Sequence, residues 1–277
     1  MFNNIIQYFQ TLEQHPLQRM LFLVCGLLFF WVIEGAIPLL NLQYRKTKFK
    51  HAVVNFGFTV IHLIIHTFLA IIIIKLSDWC KANQFGLVYW LSTGVGLAIL
   101  ISFLTLDFFG GWLVHIVQHK VPTLWRFHVI HHADNKVDVT TGLRHHPVES
   151  VLRGIFFFMA VIVSGAPMYA VMIFQTILIF AVSFTHANIS LPKWLDDTIG
   201  WVLVSPNMHK VHHHWQQPYT DSNYGAVLSV WDRMLGTLKK LSPSSIRYGL
   251  DRYYPNEKDE DFVQLMKSPF EKMDSKV

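Results

Sequence analysis

Residues 87–119 read LVYWLSTGVGLAILISFLTLDFFGGWLVHIVQH, a long apolar run that closes on two histidines four apart. Residues 87–113 are long enough for a bilayer span, which needs about 20 apolar residues. His115 and His119 sit where the chain leaves hydrocarbon. Residues 20–40 and 52–74 are equally long and apolar. Residues 151–166 and 168–186 are shorter and meet at Gly165-Ala166-Pro167, as two tight spans or as a hairpin that stops short of crossing. The expected fold is an all-α integral membrane protein of four to five transmembrane helices.

Composition agrees. Only 15% of the 277 residues are charged and 52% are hydrophobic, against about 25% charge in soluble domains. Disorder, collagen and coiled coil are excluded by the same figures. Two cysteines, Cys25 and Cys80, supply neither a disulfide framework nor a four-thiolate zinc site. The first apolar segment lacks the basic flank and small-residue cleavage site of a signal peptide.

Basic residues resist translocation, so their distribution predicts sidedness. Arg45, Lys46, Lys48 and Lys50 follow the first span, and Lys120, Arg126, Lys136 and Arg144 follow the third. Eleven more lie from Lys193 to Lys276, whereas the opposite loops hold Arg19, Lys75 and Lys81. Five spans then place the basic segments in the cytoplasm and the N-terminus outside. The net charge of +5 reads as this topology bias with some attraction to anionic lipid. No nucleic-acid motif accompanies it.

Twelve of sixteen histidines fall between His115 and His214, and all meet the same membrane face under this assignment. Three boxes stand out: His115-Ile-Val-Gln-His119, His128-Val-Ile-His131-His132 and His209-Lys-Val-His212-His213, with His214 trailing. Residues three and four apart share a helix face, so His115 with His119, and His128 with His131 and His132, are expected to point at one ion each. Neutral imidazole suits iron, zinc, copper and nickel. His146 and His186 stand among polar residues at the same face. His62 and His66 form another such pair inside the second span, read as a polar contact within the bundle or a cavity lining. Glu34 and His51 read as helix-packing or interfacial residues, and His15 as a surface residue. HExxH, ExxH, GxSxG, P-loop and GxGxxG patterns are absent, which argues against zinc proteases, carboxylate-rich di-iron bundles, serine hydrolases and nucleotide binding.

The sequence resembles the fatty acid hydroxylase/sterol desaturase superfamily, integral-membrane histidine-box di-iron oxygenases. Pro122-Thr-Leu-Trp125-Arg126-Phe-His128 looks like the segment leading into the second box. Arg144-His145-His146-Pro147-Val-Glu149 resembles the family's Arg-x-His-Pro-x-Glu element, and His186-Ala-Asn188 its His-Ser/Ala-Asn element. Pro206-Asn-Met-His209, Asn223-Tyr224-Gly225 and Trp231-Asp232-Arg233-Met-Leu-Gly236-Thr237 continue the match, which covers residues 90–240. Ile116 departs from the pattern, which commonly has Arg after the first histidine, and the His212-His213-His214 run leaves two registers, of which the earlier is taken.

The resemblance implies metal ligation by His115, His119, His128, His131, His132, His146, His186, His209, His212 and His213, with His145 and His214 as bystanders or as supports behind the ligands. Asp134, Asp138, Glu149, Asn188, Asp196, Asp221, Asn223 and Asp232 are candidates for orienting those rings. It implies a helical membrane domain with a cytosolic helical cap carrying a histidine-rich dimetal site, two non-haem Fe ions, with Zn a possible substitute, and O2-dependent hydroxylation or desaturation of a lipid: sterol, fatty acyl, alkylglycerol, carotenoid or sphingolipid. No His-Pro-Gly-Gly marks a fused haem domain, so electrons are expected from a separate cytochrome b5-like protein, ferredoxin or reductase. Alternatives are a zinc-dependent membrane hydrolase and a metal transporter. The expected organisation is N-terminal transmembrane helices over 1–86, a catalytic domain over 87–240 and a polar cytosolic tail over 241–277, packed as short helices or partly mobile. The size and absent retention signal fit a bacterial cytoplasmic membrane, with the endoplasmic reticulum as the alternative.

Overall fold

The computed structural model describes residues 2–42, 47–250 and 261–271. Arg45, Lys46, Arg252, Lys258, Lys272 and Lys276 of the basic count, and Pro255 of the tail, lie outside them. A short helix, α1 (Phe2–Thr11), precedes α2 (Pro16–Ala36) and the 35-residue α3 (Lys48–Ala82). Next comes α4 (Val95–Asp107), joined through a π-helical turn to α5 (Val114–Lys120). The chain continues through α6 (Pro122–His132), α7 (Pro147–Ser164), α8 (Met168–His186), α9 (Lys193–Ile199), α10 (Pro206–His212), α11 (Val230–Met234) and α12 (Phe262–Lys267).

Five stretches among the described residues are long and apolar enough to cross a membrane: Leu17–Ala36, Lys48–Trp90, Val95–Lys120, Pro147–Ser164 and Met168–His186. The protein is a multi-pass membrane protein. Their outer faces carry Val32, Phe68 and Leu21 at 60–72% exposure, side chains that only lipid would keep from water. Four of the five differ at their ends from the hydropathy reading, and at two the difference bears on the site. Residues 87–90 form a separate turn, and the third span starts at Val95 and runs on through His119. The other, α3, is about 52 Å long at 1.5 Å per residue, more than a hydrocarbon core of roughly 30 Å. Its N-terminal turns therefore stand beyond the apolar layer and carry His51 and Asn55 into the cap.

The doubtful pair resolves into two full helices. Gly165 ends α7 in the left-handed region at φ 69°, and its backbone nitrogen lies so near Gly86 that a Cβ there would stand 2.3 Å away. Only glycine allows that contact.

Inside the bundle, Leu106 of α4, Phe157 and Val161 of α7 and Val171 and Phe174 of α8 pack with Ile73 of α3. At the histidine end the core turns polar. The π-helical turn Phe108–Leu113 re-phases the helix by one residue, and Gly111 lets Ala226 approach where a Cβ would stand 2.9 Å from its methyl. Asp107, fully buried, closes this junction: its carboxylate accepts from the Val227 and Leu228 amides (both 3.1 Å) and from Trp231 Nε1 (2.8 Å). In the tail, Leu265 of α12 is buried against Val54, Phe58 and Ile130.

Candidate metal centre

Nine histidines converge in two adjoining groups. The first joins His115 and His119 of α5, His128 and His132 of α6 and His212 of α10. The second joins His131 of α6, His186 at the end of α8, His209 of α10 and His213 just beyond it. Within each group one ligand atom per residue lies within 4.8 Å of all the others, and every residue is buried. The groups abut, with the rings of His132 and His213 4.7 Å apart.

The helical geometry corrects one reading of the second box. His128 and His132, four apart, share the first group, whereas His131 faces the second. The third box is divided in the same way: His209 and His213 stay together and His212 crosses to the first group. Residues four apart differ by about 40° around a helix, and residues three apart by about 60° in the opposite sense. An HxxHH segment lying between two centres therefore feeds both.

Hydrogen bonding fixes the tautomers. His115 Nδ1 donates to the Tyr224 carbonyl (2.9 Å), His212 Nδ1 to the Ser222 carbonyl (2.6 Å) and His186 Nδ1 to the Val182 carbonyl (2.9 Å). His119 Nδ1 donates to Asp221 (3.1 Å), and His128 Nδ1 to Glu149 (3.0 Å). With those protons committed outward, each Nε2 presents a lone pair inward. Nε2 of His115 and Nε2 of His128 face each other at 3.1 Å, while Nε2 of His119, His132 and His212 is buried without a partner. Facing lone pairs repel unless a cation lies between them, so this donor set fits a metal ion. In the second group His186 Nε2 lies 3.2 Å from His131 Nε2 and 2.9 Å from His209 Nε2.

Burial keeps the rings neutral and so competent as ligands. Desolvation, reinforced by neighbouring imidazoles, holds His131, His132, His209, His212 and His213 well below the ordinary histidine range. Burial also lowers Lys210 to about 7, and this lysine donates to the carbonyls of Thr185 (3.0 Å) and His186.

His146 stands apart from both groups. Its Nδ1 accepts from the Val148 amide (3.2 Å), capping α7, and its ring packs on Phe127 and Phe270. Pro147 starts that helix, which makes the preceding residue its cap and turns the His146 ring away from the metal groups. The neighbouring His145, read as a bystander or a support behind the ligands, stacks on His131 at 4.9 Å and lies 2.9 Å from Glu149. His214 turns outward, its Nδ1 accepting from the Arg247 amide.

The candidate orienting residues divide by what they touch. Glu149 and Asp221 bond to histidine rings directly. Asp232 works at one remove: it accepts from Trp112 Nε1 (3.0 Å) and from the Tyr224 (2.9 Å) and Gly225 (2.9 Å) amides, fixing the carbonyl that receives His115. Asn223 donates to the Met208 carbonyl (2.8 Å) and ties α10 to residue 239. Asp134 and Asp138 bracket His51, at 2.9 and 3.4 Å, and belong to neither histidine group. Asn188 pairs with the Leu40 backbone, and Asp196 with Asn207.

Sequence reasoning missed part of this shell. The carbonyls of Tyr224, Ser222 and Val182 leave no trace in residue type. Glu34 and His51 are fully enclosed anchors: Glu34 accepts from Lys48 (2.7 Å) and from the Val139 (3.0 Å) and Asn188 (3.1 Å) amides. His62 and His66 stack at 3.9 Å, and His62 bonds to Ser150 Oγ (2.9 Å), outside both groups.

A family model for fatty acid hydroxylases matches residues 99–237, half the chain, and spans all nine clustered histidines. The chain belongs to the fatty acid hydroxylase family. Among its relatives, an alkylglycerol monooxygenase of Xenopus tropicalis is 31% identical over 54% of this chain and 32% of its own length. An ornithine lipid hydroxylase, OlsE, of Rhizobium tropici is 27% identical over 51% of this chain and 42% of its own length. Human cholesterol 25-hydroxylase is 29% identical, covering 46% of each chain. The chain spans from a third to under half the length of these relatives. No solved structure matches it. For this member of the fatty acid hydroxylase family, the paired imidazole groups are consistent with a histidine-box metal site.

Proposed function

We propose that the protein is an O2-dependent, non-haem di-iron enzyme that hydroxylates or desaturates a lipid. The observation that carries this reading is the pair of adjoining all-imidazole groups with their lone pairs turned inward. His115, His119, His128, His132 and His212 would hold one iron, and His131, His186, His209 and His213 the other. Five imidazoles around the first position exceed the four ligands zinc usually takes, which favours iron over the hydrolase alternative. Bound iron would supply, with O2 and two electrons, the oxidising power to break an unactivated C–H bond. One oxygen atom enters the product as a hydroxyl and the other leaves as water; in desaturation both atoms leave as water and two hydrogens are lost.

The chain's own groups hold this arrangement. Glu149 and Asp221 accept the outer protons of His128 and His119, making the inner nitrogens better donors. Tyr224 and Ser222 do the same through their carbonyls, at no charge cost. Lys210 pins the end of α8, and with it His186.

Alkylglycerol, ornithine lipid and cholesterol, named for the relatives, all combine a polar group with hydrocarbon, and a bilayer-borne lipid is the substrate class that follows. Electrons would come from a separate protein reaching the cytosolic face. Iron analysis with O2-dependent product formation tests the proposal. Lipid mass spectrometry of cells with and without the protein should find one lipid class gaining one oxygen or losing two hydrogens. Activity without iron, or without O2, would refute it.

A further inference from the structure

Arg153 is a full charge set inside a membrane span. It lies on α7, one turn past Glu149 in the Pro147–Ser164 span, about 9 Å from the start of the helix at 1.5 Å per residue. A charge at such depth is costly and marks a functional position. Contact with lipid does not account for it. The exposed row of α7 is Val148, Val151, Ile155, Met159 and Val163, and residue 153 stands about 160° around an ideal helix from Val151. The Arg153 face is the inner one. Glu149, one turn before it, bonds to His128, and Phe157, one turn after it, packs on Phe174 and against Gly110.

Only one side of the guanidinium is in use. Nε donates to Glu149 Oε1 (2.9 Å), and the same oxygen accepts from His128 Nδ1 (3.0 Å) and lies 2.9 Å from His145. One negative charge is thus shared between Arg153 and a ring of the first histidine group. Nη1 and Nη2 meet no acceptor among the described residues, yet protein atoms do not enclose them. Of the Arg153 side chain 23% stays accessible, against none of Glu149's. Since the lipid face of α7 is on the other side, that access opens onto a space inside the bundle, between Glu149 and Phe157. The Nη1–Nη2 edge is the planar fork that grips a carboxylate or a phosphate through two parallel hydrogen bonds.

We propose that Arg153 holds the acidic group of the lipid substrate, a carboxylate or a phosphate, through Nη1 and Nη2. This rests on the reading of the histidine groups as an oxidising metal centre, and it names the substrate class: an anionic lipid. Oxidation would fall close to the acidic end, because one carboxylate, Glu149, separates the guanidinium from a ligand ring. A neutral ester or alcohol of the same chain offers the fork no charge and no second equivalent oxygen.

The test uses the full metal-loaded chain in a neutral maltoside detergent, with bound lipid counted by native mass spectrometry. Palmitate is compared with methyl palmitate, and 1-palmitoyl lysophosphatidate with 1-palmitoylglycerol. In at least one pair the acid should be held about tenfold more tightly than its neutral partner, the worth of one charge-assisted hydrogen bond. The pair that shows it tells carboxylate from phosphate. Arg153→Gln should abolish the preference, and Arg153→Lys, which keeps the charge without the fork, should retain part of it. Stripping the metal with a chelator should leave the preference of the unaltered protein intact. Equal retention of acid and neutral lipid in both pairs would overturn the proposal and leave Arg153 as a brace for Glu149. So would a preference undiminished in Arg153→Gln, or one lost on chelation, either of which would put the acid elsewhere. Binding is read without turnover, so an Arg153-dependent preference in a protein that oxidises no lipid would sink the redox reading and leave the anion site in place.

Discussion

Glu149 concentrates several duties in one carboxylate. Its Oε1 accepts from His128 Nδ1 (3.0 Å) and Arg153 Nε (2.9 Å), with His145 at 2.9 Å. Glu149→Gln keeps the shape but removes the charge that commits the His128 proton outward. It should lower metal affinity about 10–100-fold, the usual cost of losing a partner behind a ligand, read by competition with a chelator. His131→Ala and His146→Ala should separate cleanly. The first removes a member of the second group and should halve the metal bound per chain. The second removes the cap of α7, costing about 1 kcal/mol of stability, together with the ring's packing on Phe127 and Phe270, with metal content unchanged by elemental analysis. Loss of metal from His146→Ala would return that residue to the ligand set.

At the scale of elements, the junction between α4 and the cap depends on Asp107. Three N–H donors converge on it, and the adjoining π-helical turn brings Gly111 against Ala226. Asp107→Asn should leave a buried donor unsatisfied at a cost of about 1–3 kcal/mol, seen as a lower melting temperature. The cap segment near residue 227 should also become more open to proteases. The spans and three histidine boxes were legible because hydropathy and spacing are local properties. Which box feeds which centre was not, because it depends on where α6 and α10 lie relative to both groups. His146 misled for a related reason: its Pro147 neighbour signals a helix start as strongly as the motif signals a ligand. Glu34 and His51 looked ordinary because their partners, Val139, Asn188 and Asp134, are far away in sequence. The hydropathy pattern also started the third span too early, at residue 87, since Gly94 and the left-handed Ser92 (φ 48°) set the true helix start.

For the whole molecule, acid should be the main threat to the metal-free protein. His131, His132, His209, His212 and His213 are neutral in the fold, held well below their ordinary range by burial. The unfolded chain takes up protons first, near the unperturbed value of about 6.5. Stability is therefore complete above that pH and is lost as the pH falls through and below it. Melting temperatures of the metal-free protein at pH 8 and pH 5 should show the drop, and bound metal should reduce it. Sidedness can be measured too. Single cysteines at Gln14 and Lys193, both exposed, should label from the outside and from the cytoplasm respectively once Cys25 and Cys80 are replaced.

His131 and His132 are neighbours in the chain yet serve different groups, and His212 and His213 repeat the arrangement on another helix. The spacing between the two centres is thus set twice over by a single peptide link, the stiffest ruler a polypeptide owns. Heat or detergent that swells the bundle should carry both imidazole groups along in step, so that the gap between them is the last dimension to change.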